Sequence, residues 1–234
     1  GEGGEGEGGE KGATAAKLKD INLPIGKGQL CAIVGPVGSG KSSLLAALLG
    51  EMRRTTGRKR VHGSLAYVAQ NPHIFNMTVR DNITYFLPFD EEKFRAVVNA
   101  CALQVDFDLF PAGEETEVGE RGLNLSGGQK ARIALARALY ADADVILLDD
   151  PLAAVDQGVA ETLFHKCIVS AMAGKTRILV THQTQYLPHC DSCIAMENMS
   201  CSMLSTTSPS SVTLSTENHA EHVEQQGKEQ QGKE

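Results

Sequence analysis

The eight residues Gly-Pro-Val-Gly-Ser-Gly-Lys-Ser, 35 to 42, restrict this chain more than any other stretch. They fit the spacing G-x-x-x-x-G-K-[ST] and lie between an apolar run, QLCAIVG (29–35), and an Ala/Leu-rich segment, SSLLAALLGEM. The first reads as a buried strand and the second as a helix. Glycines at these positions let the backbone curl until its N–H groups point at one centre, and the helix that follows adds its positive end. Gly35, Pro36, Val37, Gly38, Ser39, Gly40, Lys41, Ser42 and Ser43 are therefore candidates to cradle a nucleotide's phosphates. In that role Lys41 is a mobile cation for the β- and γ-phosphates, and Ser42 offers a hydroxyl to Mg²⁺. The competing reading is a turn that only joins a strand to a helix; the Lys-Ser pair in register argues against it.

The rest of the chain repeats the alternation. GSLAYVAQ (63–70), DVILLDD (144–150) and TRILVTH (176–182) read as strands. EEKFRAVVNACAL (91–103), SGGQKARIALARALYADA (126–143, with Ser126 as N-cap) and VAETLFHKCIVSAM read as helices. Strands alternating with helices predict an α/β fold with a mainly parallel sheet. A net charge of −7 argues against a nucleic-acid partner, and six cysteines in 234 residues do not suggest a disulfide framework. No window is long and apolar enough for a membrane span, and the first residues are Gly and Glu rather than a secretory signal.

Two further motifs carry chemistry. In VILLDDPLAAVD, 145 to 156, two acids follow a buried run. Asp149 is placed to hold the metal of a phosphate-loop enzyme through its water shell. A surface acid capping a strand is the bland alternative. In LNLSGGQK, 123 to 130, Ser126, Gly127, Gly128 and Gln129 open a helix and form a second anion cradle. One cradle suffices for one nucleotide, so the second makes sense if it serves a nucleotide held by another copy of the fold.

Taken together, Gly35–Ser42, Gln70, LSGGQ, ILLDD, AAVD and His182 resemble an ABC-transporter nucleotide-binding domain over roughly residues 18 to 198. GPVGSGKSSLL, TVRDNI, TEVGERGLNLSGGQK and LLDDPLAAVD are similar to the first such domain of subfamily C, the multidrug-resistance-associated proteins. The resemblance implies a P-loop NTPase core with an ABC-type helical subdomain (about 78–140) and flexible tails. It implies ATP and Mg²⁺ as cofactors, with Ser42, Gln70 and Asp149 around the metal. Gln70 would reach the Mg²⁺ or the attacking water, His182 would sit near the γ-phosphate, and Asp156 would lie at a dimer seam. The segment TEVGE, 116 to 120, would touch the membrane domain. The partners implied are a second nucleotide-binding domain and transmembrane domains on the same or another polypeptide, which places the chain at the cytoplasmic face of a membrane. Asp150 stands where this family usually has Glu as the base that polarises water. It is one methylene short, so the domain is expected to bind Mg-ATP well and hydrolyse it slowly, unless Asp150 is a second acid of the metal shell. Two other readings stay open: a dimerising regulatory module with little hydrolysis, and a soluble ABC ATPase without a membrane partner.

Three departures qualify the resemblance. The family has an adenine-stacking aromatic upstream of the first strand; here that region is GEGGEGEGGEKGATAAK, without one. The expected domain spans 18–199, between a low-complexity segment (1–17) and a disordered Ser/Thr/Gln/Glu-rich tail (200–234), and DSCIAMENMSCSM breaks off where a Gly-containing hairpin would be expected. Cys190 and Cys193 form a C-x-x-C beside His189, read as reduced structural thiols in preference to a metal or redox site.

Overall fold

A computed structural model describes residues 17–119 and 124–204. Strand β1 (Leu30–Val34) leads through the glycine loop into helix α1 (Lys41–Leu49), and β2 (Leu65–Val68) follows. Three short helices come next: α2 (Val79–Thr84), α3 (Glu91–Ala100) and α4 (Gln104–Leu109). Helix α5 (Gly127–Tyr140) then runs into β3 (Val145–Asp149). Helix α6 (Gln157–Thr162) continues as a wider π-helical segment, Leu163–Ala171, before β4 (Thr176–Val180), β5 (Ser192–Glu197) and β6 (Ser200–Leu204).

The six strands form one sheet in the order β2-β3-β4-β1-β5-β6, parallel except for β6, which pairs antiparallel with β5. Central strands must be apolar on both faces, and β1 and β3 are buried at every position. Alternate residues serve opposite layers. Ala32, Val34, Ile146 and Leu148 join the larger core with α5, the π-helical segment and the helical subdomain. Cys31, Ile33, Val145 and Leu147 join a smaller core roofed by Leu44 and Leu45 of α1. Leu18, Ile21, Leu23 and Ile25, themselves partly buried, pack against that second core.

Local chemistry sets the helix starts. The side chains of Thr78, Asp90 and Asp156 accept the amides of Asp81, Lys93 and Val159 at 3.0, 3.0 and 3.1 Å, capping α2, α3 and α6. Helices α2 through α5 fall in the stretch 78–140. Arg177, almost wholly buried, donates to the carbonyls of Ile168, Val169 and Gly28, binding the end of the π-helical segment to the sheet edge.

The tail boundary requires correction. Ser200–Leu204, placed in the disordered tail by composition, is strand β6. The hairpin turn before it is made without glycine: Asn198 and Met199 both take left-handed backbone angles, φ 49° and 63°. Pairing with β5 supplies the order that the polar composition does not advertise. Residues 1–16, 120–123 and 205–234 lie outside the described residues, and with them the end of TEVGE. Cys190 and Cys193 are buried, and burial pushes the Cys190 thiol up to about 12.

Candidate nucleotide site

The parallel topology gathers the predicted residues at one end of the sheet, because every parallel strand delivers its C-terminus to the same edge. Strand β4 lies between β1 and β3. The glycine loop after β1, His182 after β4 and Asp149–Asp150 at the end of β3 therefore stand side by side, with Gln70 beyond them after the edge strand β2.

In the glycine loop, Gly35, Gly38 and Gly40 have φ of 151°, 80° and 102°, outside the range that residues with a Cβ prefer. A Cβ on Gly35 would collide with the carbonyl oxygen of Met196, whereas one on Gly38 would meet nothing within 4 Å. Gly38 and its exposed neighbours Pro36 and Val37 thus border open space, and Gly35 is wedged against β5. The hydroxyl of Ser39 is buried without a partner among the described residues. An exposed glycine turn beside a buried, orphaned hydroxyl suits an anion rich in oxygen.

Lys41 opens α1 and is only 7 % exposed. Its ammonium donates to the carbonyls of Gly35 and Pro36, both at 2.8 Å, so the chain's one cation in the loop is held across the mouth of the cradle. Burial lowers its pKa, opposed by the attraction of Asp150 and Asp149. Ser42 is exposed next to it.

Asp149 ends β3 and is buried, and the hydroxyl of Tyr67, from β2, lies 3.4 Å from its carboxylate. Asp150 leaves the strand in the left-handed region, φ 47°, with its amide donating to Val180 at 3.0 Å. Desolvation raises the pKa of Asp150; proximity to His182 opposes the rise and the Asp149 carboxylate adds to it. His182 and Gln70 are exposed. Asp149, Asp150, Lys41 and His182 therefore form one electrostatic cluster, and Gln70 stands at its rim without a side-chain hydrogen bond among the described residues.

The second cradle is built differently from expectation. Ser126 and Gln129 engage one another in a reciprocal cap: the Ser126 hydroxyl accepts the Gln129 amide at 3.2 Å, and the Gln129 side chain accepts the Ser126 amide at 2.8 Å. That leaves the amides of Gly127 and Gly128 as the donors that a helix start cannot satisfy within itself. Both glycines pack on the loop after β3. A Cβ on Gly128 would stand 3.2 Å from the Ala154 carbonyl oxygen. Asp156, expected at a dimer seam, caps α6 in the same loop.

Sequence reading missed Tyr67 and Asp106. Tyr67 lies three residues before Gln70 in LAYVAQ, an alternating stretch whose exposed aromatic is a fair signal. Asp106 lies between apolar Val105 and Phe107, a charged residue inside an apolar run.

Comparison with known proteins agrees with the geometry. The family model described as ABC transporter matches residues 18–153. Multidrug resistance protein mrp-7 of Caenorhabditis elegans is 52% identical over 189 residues, covering 80% of this chain and 12% of its own length. ATP-binding cassette sub-family C member 2 of Mus musculus is 50% identical over 183 residues, covering 77% of this chain and 12% of its own. A probable multidrug resistance-associated protein of Drosophila melanogaster, lethal(2)03659, is 50% identical over 181 residues, 77% of this chain and 13% of its own. The chain thus spans about an eighth of the length of these curated relatives. No helix among the described residues is long and apolar enough to cross a membrane. With its glycine cradle, paired acids and LSGGQ helix on one α/β core, the chain belongs to the ABC transporter family, as an ATP-binding domain similar to those of sub-family C.

Proposed function

We propose that this domain binds Mg-ATP between its own glycine loop and the LSGGQ segment of a second nucleotide-binding domain, and that closure of the pair drives an exporter's membrane-spanning helices. The observation that carries the reading is the cluster of Lys41, Asp149, Asp150 and His182 at the mouth of an amide-lined loop. Amides of residues 38–43 and the Lys41 ammonium would bind the triphosphate, and Lys41 would exchange its carbonyl partners for phosphate oxygens. Ser42, Asp149 and Gln70 would hold Mg²⁺, which neutralises charge on the phosphates when bound.

Asp150 would take the proton of the attacking water on its carboxylate, and His182 would orient the reacting end. A raised pKa makes Asp150 a better proton acceptor than an ordinary aspartate. Reach opposes this. A carboxylate one C–C bond short of a glutamate misses the roughly 2.6–3.2 Å over which such transfer works. The site would therefore bind Mg-ATP well and hydrolyse it slowly, paired with a competent site to which this chain contributes Ser126–Gln129. The membrane-spanning domains would lie on a longer polypeptide or a separate subunit, with this domain docked at their cytoplasmic face.

Calorimetric titration with Mg-ATP tests the reading. Binding in the micromolar to millimolar range is expected for the native chain and none for Lys41→Ala. Equal affinity of the two would overturn the assignment of the loop.

A further inference from the structure

The first turn of α5 is held from outside the helix by one carboxylate. Asp106, on α4 and 6 % exposed, accepts from the Gln129 side-chain amide at 3.0 Å on its Oδ1 atom. The Nη2 nitrogen of Arg132 donates to both Asp106 oxygens, at 2.8 and 2.7 Å. Residues 129 and 132 are one turn apart on the same helix face, so Asp106 grips α5 at two points. The Gln129 side chain is thereby shared: its oxygen bonds the Ser126 amide and its nitrogen bonds Asp106. The direction of the Gly127 and Gly128 amides is fixed through this chain of contacts.

The same carboxylate controls charge. The Arg132 guanidinium is mostly buried, its Nε has no partner among the described residues, and its Nη1 nitrogen comes within 3.8 Å of a Cβ built on Gly128. Without Asp106 that cation would lie beside the glycine amides with freedom to swing. Charge-assisted bonds to a buried carboxylate are short and directional, suited to fixing an orientation.

We propose that Asp106 is a positioning residue for the LSGGQ cradle: through Gln129 and Arg132 it aims the amides of Gly127 and Gly128 at the phosphates of the nucleotide on the partner domain. This rests on the two-domain sandwich proposed above. Asp106 would touch no phosphate itself.

The test uses the chain with Asp106→Asn, a near-isostere that keeps the shape and loses the charge. A second variant, Asp106→Asn with Arg132→Gln, removes the stranded cation and so guards against a mere failure to fold. Amide hydrogen exchange is measured on the chain alone, and Mg-ATP-driven association is measured in an Asp150→Asn background that arrests hydrolysis. We expect exchange at Gly127, Gly128 and Gln129 to quicken about tenfold in both variants while Gly38–Ser42 is unchanged. Association should weaken about tenfold at an Mg-ATP affinity that stays within about twofold. The double variant should regain thermal stability without regaining either property, which a purely structural ion pair would not show. Unchanged exchange in the first turn of α5 overturns the proposal, as does full association by either variant. A native chain that fails to associate with Mg-ATP counts instead against the sandwich, and the exchange result then decides the Asp106 clamp by itself.

Discussion

The backbone amide of Met199 donates to the carbonyl of Ser39 across 3.1 Å, tying the β5–β6 hairpin to the phosphate loop. The Met199 sulfur faces Gly40 from the same turn, and the Met199 carbonyl in turn accepts the amide of Lys19. The hairpin is thus a strut behind the cradle. Its turn holds two residues in left-handed geometry, so pairing of β6 with β5 must supply the stability. Ending the chain at Met199 should weaken Mg-ATP binding about tenfold and lower the unfolding midpoint. Ending it at Leu204 should leave both unchanged. Calorimetry and thermal unfolding of the two truncations check this, and equal behaviour would count against the strut.

Two glycines of the loop should respond differently to the same substitution. Gly38→Ala meets no neighbour and suffers only the left-handed penalty, about 1–2 kcal/mol. Gly35→Ala adds a collision with the carbonyl of Met196, which is paired with Cys201 of β6 and cannot retreat without disturbing that hairpin. A loss of roughly 3 kcal/mol or more is expected there. Denaturant unfolding of both variants measures the gap; similar losses would mean that β5 yields.

Asp150 should leave a mark on stability as a function of pH. Its pKa is raised in the folded state, first by desolvation, so its ionisation costs the folded state. Stability from this group is fully present below the ordinary aspartate pKa and is lost as pH rises through the raised value. Asp150→Asn, neutral at every pH, should therefore unfold at a higher temperature than the native chain near neutrality. The difference should vanish in acid, below the ordinary aspartate range. A native chain equal to or more stable than Asp150→Asn at neutral pH would show that Lys41 and His182 outweigh burial.

Much of this site was legible because its residues end strands. QLCAIVG, VILLDD and TRILVTH each run apolar to the sheet edge and then present a glycine loop, two acids or a histidine, so local pattern and chemistry coincide. Ser126 was readable as a cap for the same reason. Helices α2 and α4, six residues each, are too short for a periodic pattern to declare itself. Strand β6 is Ser-Cys-Ser-Met-Leu inside a Ser/Thr-rich run, and only its partner β5 makes it a strand. The grip of Asp106 on α5 joins residues more than twenty positions apart and follows from packing alone.

The length of the Asp150 side chain remains the most direct handle on turnover. The backbone here is fixed at both ends: the Asp150 amide bonds Val180, and its carbonyl accepts the Ala153 amide at 3.2 Å. The carboxylate cannot advance by moving the main chain without breaking one of these bonds. Asp150→Glu adds the missing methylene and extends the carboxylate's reach with the main chain left in place. With a partner domain supplying LSGGQ, turnover should rise by about tenfold or more, since small misplacements of a reacting group cost up to about 10²-fold. Mg-ATP affinity should change little, because Lys41 and the glycine amides supply it. Steady-state phosphate release alongside equilibrium binding separates the two quantities, and a flat or lower rate at unchanged affinity would show that reach is not what limits this site.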